Sequence, residues 1–144
     1  MLTLKAVVLA VILSSMTKSK GKIIIEPGIN VWPHELKTAE ALAAAGYIVE
    51  FIRKSDIAYQ TSADVLIDGV RWEMKSPKSG NTDMILKNLR RALHQSSYVI
   101  FDSRRMKRLP NQVIEREVRR RANELKSLKS LIYIDCHGVV MVVK

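Results

Sequence analysis

The chain has 144 residues, 47% of them hydrophobic and 26% charged, a composition that fits one domain with a real core and excludes wholesale disorder. Its formal net charge of +10 points to a polyanionic partner, either nucleic acid or an anionic membrane surface. The single cysteine, Cys136, excludes an internal disulfide and a cysteine-based zinc site.

Residues 1–20 read as an N-terminal extension and residues 21–144 as one domain. The apolar run from Ala6 to Leu13 spans eight residues, far short of the about 20 that a membrane-spanning helix needs, so no stable membrane insertion is expected. Three readings of this stretch stand side by side: a weak export signal, an extra helix packed on the domain, or an upstream extension with Met16 as the natural start.

Ile23-Ile24-Ile25 predicts a short strand, closed by the turn signal Pro27-Gly28. Pro33 to Ala45 predicts a helix, with proline in its first turn, Glu35 near the positive end of its dipole and Gly46 at its end. Tyr47 to Ile52 follows as a strand, and Arg53 to Ser62 as a polar connection. Two β-type runs then flank Asp68-Gly69, the dipeptide suited to a two-residue type I′ hairpin turn. Counting outward pairs Ile67 with Val70, Leu66 with Arg71, Val65 with Trp72 and Asp64 with Glu73. Alternation puts Ala63, Val65, Ile67, Val70, Trp72 and Met74 on one face, expected to be buried. Asp64, Leu66, Arg71, Glu73 and Lys75 share the other.

Ser76 to Asn81 is a loop of small and basic residues directly after Lys75. Thr82 to about Ser97 predicts an amphipathic helix with Ile85, Leu89, Ala92 and Leu93 as its apolar stripe. Tyr98 to Asp102 predicts a strand buried on both faces. Between Arg104 and Lys129 ten Lys/Arg stand against three Glu, and a helix opens there at Pro110-Asn111. Leu131–Asp135 and Val139–Val143 close the chain as a hairpin around Cys136-His137-Gly138. The order β-α-β-β-β-α-β-α-β-β predicts an α/β fold, a mixed central sheet flanked by helices.

Like charges facing across a strand pair cost roughly 0.2–1 kcal/mol, and a hard divalent cation between Asp64 and Glu73 would reverse that sign. Lys75, on the same face, can orient an attacking water and neutralise developing phosphate charge. Glu35 could add a further carboxylate, and the basic surplus would attract a polyanionic substrate. Together these residues point to metal-assisted phosphodiester cleavage with Mg²⁺ or Mn²⁺. Glu40 rivals Glu35, but it lies about 140° away around the same helix, so both cannot face one metal.

The pattern Asp64 … Glu73-x-Lys75 across a hairpin, preceded by a helix with a glutamate, resembles the PD-(D/E)XK nuclease superfamily. The runs His34-Glu35 … Thr38-Ala39 … Leu42 … Gly46-Tyr47 and Asp64 to Lys75 are similar to the C-terminal nuclease domain of contact-dependent growth inhibition toxins. So is Leu89-Arg90 … Ala92 … Gln95-Ser96 … Val99-Ile100 … Asp102. The resemblance covers Pro33 to Asp102, with Ala63 standing where the family pattern has proline. It implies a restriction-endonuclease-like core, Glu35, Asp64, Glu73 and Lys75 as the active site with the three carboxylates holding the metal, and a polar residue of the following helix, best matched by Gln95, as an assistant. It further implies tRNA as substrate, an acidic immunity protein as partner, and a cytoplasmic site of action after export or delivery as a toxin. The basic side chains placed against nucleic acid are Lys78, Arg91, Arg104, Arg105, Lys107, Arg108, Arg119 and Arg120.

Other readings stay open. DNA cleavage would use the same site. A non-catalytic nucleic-acid-binding protein would keep the charge without the chemistry, and a metal-free ribonuclease would pair His34 or His94 with Glu35.

Overall fold

A computed structural model describes residues 21–53 and 64–144. Residues 1–20, the connection from 54 to 62 and Ala63 lie outside the described residues, and with them the three readings of the N-terminal run. The elements are β1 (Lys22–Ile25), α1 (Pro33–Ala44), β2 (Ile48–Ile52), β3 (Asp64–Ile67), β4 (Val70–Lys75), α2 (Asp83–Leu93), β5 (Tyr98–Asp102), α3 (Asn111–Glu124), β6 (Ser130–Ile134) and β7 (Val140–Val142). Their order is the expected one.

The seven strands form one mixed sheet in chain order. Each parallel neighbour pair, β1–β2, β4–β5 and β5–β6, is joined through a helix, because a parallel connection must carry the chain back along the sheet. The antiparallel pairs β2–β3, β3–β4 and β6–β7 need no such crossover. Helices α2 and α3 cover one face: Ile85, Leu89 and Ala92 of α2 and Ile114, Val118 and Ala122 of α3 pack against Val99, Phe101, Leu131 and Tyr133. Helix α1 covers part of the other, where Ala39 and Leu42 meet Val49, Phe51, Val65, Ile67 and Ile100. Successive residues of β5 therefore enter opposite core clusters, which is why that strand is apolar without alternation.

The hairpin register agrees with the count from Asp68-Gly69: Val65 pairs with Trp72, Leu66 with Arg71 and Ile67 with Val70. Asp68 has φ 51° and Gly69 φ 76°, the two positive values that a type I′ turn requires. Gly46, at φ 102°, ends α1 in the left-handed conformation that releases the chain into β2.

Two expectations need correction. Among the described residues the apolar hairpin face is buried at Val65 and Ile67, while Val70 is 38% exposed and Trp72 and Met74 are half-buried. Helix α1 packs over β1 and β2 and leaves the turn end of β4 in solvent. Helix α2 stops at Leu93 rather than near Ser97. The Ser96 hydroxyl donates to the Arg71 carbonyl at 2.8 Å and accepts from the Tyr98 N–H at 3.0 Å. It thereby satisfies backbone groups outside the helix and starts β5 beside β4.

Candidate active site

The site forms where the first turn of α1 meets the far end of β4. Pro33 opens the helix, and Glu35, two residues later, is buried to 8% exposure. One Glu35 carboxylate oxygen (Oε1) accepts the Trp32 backbone N–H at 3.0 Å, so the helix end fixes the carboxylate as a capping residue would. One turn on, Thr38 Oγ1 donates to Asp102 Oδ2 at 2.7 Å and lies 3.1 Å from the His34 carbonyl. Asp102, 2% exposed, also takes Arg104 through Nε at 3.0 Å and Nη2 at 2.7 Å, and Arg104 Nη2 reaches the Lys37 carbonyl at 2.9 Å. This buried network clamps α1 to the end of β5. The hydrogen bonds that the Arg104 guanidinium donates to Asp102 also hold it above its ordinary pKa.

On β4, alternation places Glu73 and Lys75 on one face, and Lys75 Nζ lies 3.6 Å from Glu73 Oε1. Their side chains are 13% and 25% exposed respectively, covered enough for the charges to act on whatever sits beside them. Glu35, Thr38, His34, Glu73 and Lys75 line one cavity of about 200 Å³. Three of the predicted active-site residues, Glu35, Glu73 and Lys75, thus come together. The register continued one step sets the Asp64 backbone opposite Glu73; the Asp64 side chain is outside the described set. Among the described residues no three His, Cys, Asp or Glu side chains gather as a metal cluster. The donors that Glu35 and Glu73 bring are carboxylate oxygens, the type that Mg²⁺ and Mn²⁺ take.

Gln95 is elsewhere. It is exposed beyond the end of α2, and its carbonyl accepts from the Arg71 guanidinium. Arg71 precedes Lys75 by four residues, about 13 Å along a strand, so Gln95 sits by the opposite end of β4. Glu40 is exposed on α1 and lines neither this cavity nor the cleft below. His94 and His137 are exposed as well, leaving His34 as the histidine at the site.

Beside the cavity opens a cleft of about 720 Å³, lined by Lys37, Lys78, Arg105, Lys107 and Arg108 together with His34. Arg105 Nη1 donates to the Ser76 carbonyl at 2.8 Å, which anchors its guanidinium just past the end of β4. His34 lines both spaces. Burial, then the charges of Arg105 and Lys78, hold its imidazole below the ordinary histidine pKa. Of the predicted nucleic-acid contacts, Lys78, Arg105, Lys107 and Arg108 meet in the cleft. Arg104 is committed to Asp102, Arg119 and Arg120 pair with Glu115 and Glu117 on α3, and Arg91 is exposed in the last turn of α2.

Sequence reasoning missed two residues. Lys37 follows His34 by three positions, which puts both on one helix face, and that spacing could have found it. Trp32 is 51% exposed and lines the carboxylate cavity. An aromatic ring open to solvent, next in the chain to Pro33 and His34 of the cationic cleft, is a surface on which a nucleobase can stack.

Among the described residues no helix is long and apolar enough to cross a membrane. The fold is similar to that of a chain in the "CdiA-CT/CdiI toxin and immunity complex from Burkholderia pseudomallei", with a TM-score of 0.64, 19% identity, and coverage of 86% of this chain and 99% of that one. At that identity the likeness is one of fold. No curated protein sequence is similar enough to match. Residues 61–140 match the family described as "Contact-dependent growth inhibition CdiA C-terminal domain". That span holds β3 to β6, the Asp68-Gly69 hairpin and both Glu73 and Lys75, and the chain belongs to this family.

Proposed function

We propose that the domain is a toxin-type, metal-dependent endonuclease with a PD-(D/E)XK-like site, acting on tRNA in the cytoplasm of a target cell. The observation that carries this reading is the convergence of Glu35, Glu73 and Lys75 on one cavity that adjoins a cationic cleft. Glu35 and Glu73, with Asp64 at the facing register position, would hold Mg²⁺ or Mn²⁺. When bound, such an ion polarises a phosphoryl oxygen and lowers the pKa of a coordinated water.

The chain's own residues do the rest. The Lys75 ammonium, held by Glu73, orients the attacking water by hydrogen bonding and offsets the negative charge that builds on the phosphate. Glu35 is kept in place by the Trp32 N–H, and the Thr38–Asp102–Arg104 network stops α1 from sliding away from β4. Helix, hairpin and strand thus hold the reacting groups on rigid elements. An acidic immunity protein that covers the basic cleft fits the same picture, in keeping with the toxin–immunity complex among solved folds.

Incubating the protein with total tRNA and with plasmid DNA, each in Mg²⁺, in Mn²⁺ and in EDTA, tests the reading. Metal-dependent cleavage of tRNA supports it, and cleavage of plasmid alone assigns DNA instead. Binding without cleavage under every condition makes the protein a non-catalytic nucleic-acid binder. A second reading rests on His34 beside Glu35: a histidine held below its ordinary pKa is available as a base at neutral pH. That metal-free ribonuclease would keep its activity in EDTA and lose it in His34→Ala.

A further inference from the structure

The cleft beside the carboxylates holds Lys37, Lys78, Arg105, Lys107 and Arg108, and no Asp or Glu lines it. Among the described residues none of these five takes part in a salt bridge. Cations gathered without counter-charge repel one another, so the arrangement destabilises the empty protein and is offset only when an anion enters. The cluster is also assembled from separate pieces of chain. Lys37 comes from α1, Lys78 from the loop after β4, and the others from the loop after β5. Gly80 lets the first loop close on the second: a Cβ there would stand 3.2 Å from Arg108 Cδ, tighter than ordinary contact. Arg105 is braced by the Ser76 carbonyl.

We propose that this cleft is a subsite for a nucleic-acid backbone, binding phosphates that flank the scissile one and leading the strand past His34 into the carboxylate cavity. The assignment of the ligand as substrate rests on the endonuclease reading; the binding of a phosphate backbone does not. An acidic polypeptide could also neutralise five cations. Nucleic acid is favoured because His34 lines both spaces, so a chain of phosphates lying in the cleft continues directly onto Glu35, Glu73 and Lys75.

The test is tRNA binding by the full chain in EDTA, followed by fluorescence anisotropy across a salt series, so that chemistry is silent. Each phosphate contact removed lowers the slope of log K against log salt by about 0.7–0.9. Lys78→Ala/Lys107→Ala/Arg108→Ala is therefore expected to weaken binding and to flatten the slope by about 2 to 3. Arg119→Ala/Arg120→Ala, whose charges are paired on α3, is expected to keep the parent slope. Each single cleft variant, flattening the slope by about 1, guards against a folding artefact in the triple one.

A parent protein that binds no tRNA, or a triple variant with the parent slope, overturns the proposal. Loss of polyglutamate binding with tRNA binding intact also overturns it, and gives the cleft to an acidic protein partner. Cleft-dependent binding in a protein that never cleaves upholds the subsite and defeats only the endonuclease reading.

Discussion

Helix α3 carries Arg119, Arg120 and Arg121 in succession, and each makes an ion pair with Glu115, Glu117 or Glu124; the cleft beside α1 gathers five cations and no carboxylate. On α3 the pairs have i,i+3 and i,i+4 spacing, and hydrogen bonds from Arg120 and Arg121 hold the Glu117 carboxyl below its ordinary pKa. Charge of that kind is spent within the helix. In the cleft it is available to a ligand. A formal charge of +10 therefore does not say where a polyanion binds. The placement of the acidic residues does, since they silence the arginine run that is most conspicuous in the sequence and spare a scattered set that is not.

The largest effect expected from breaking this contrast is at the carboxylate end of the cleft. Glu73→Gln should lower tRNA cleavage by about 10²–10⁴-fold, the range for losing a group that acts on the reacting atoms, with an unchanged circular dichroism spectrum. Asp102→Ala acts on the clamp instead. Removing charge-assisted hydrogen bonds from a buried position costs about 1.5–3 kcal/mol, measured as a lower urea midpoint, and cleavage should fall with it because α1 carries Glu35. Trp32→Ala should weaken tRNA binding by about 1–3 kcal/mol if a base stacks on the indole, with little change in stability. Gln95→Ala should leave cleavage at the parent rate, because its carbonyl, the group that meets Arg71, survives the substitution.

A smaller effect concerns pH. The folded protein holds the His34 pKa below its ordinary value of 6.5, so near that pH the unfolded chain binds more protons than the folded one. Stability from this group is full above pH 6.5 and is lost as pH falls through the lower folded pKa. His34→Gln should therefore show a shallower loss of thermal stability on acidification below pH 6.5, followed by differential scanning fluorimetry.

The sequence carried the local geometry further than the charge distribution. Asp68-Gly69 was enough to set the hairpin register, because two positive φ values leave few other residues possible, and the parity that joins Glu73 to Lys75 followed from it. Glu35 was legible as a first-turn carboxylate. The partners of cations were not. Arg104 finds Asp102 only two residues away because the chain turns sharply at the end of β5, and no periodicity signals that. Gln95 was misplaced relative to the cavity because the end of α2 is decided by the Ser96 hydroxyl reaching Arg71 on a neighbouring strand, a tertiary contact. Lys37 joined the cleft through its spacing from His34, a signal present but hidden among ordinary helix-surface lysines.

The most direct measurement sets Lys75→Ala beside Arg119→Ala/Arg120→Ala in a tRNA cleavage assay with Mg²⁺, with parent protein in Mg²⁺ and in EDTA as references. The expected result is cleavage by the parent in Mg²⁺ and by the α3 double variant at the same rate, and none by Lys75→Ala or by the parent in EDTA. Cleavage by Lys75→Ala at the parent rate would contradict the assignment of chemistry to this cavity.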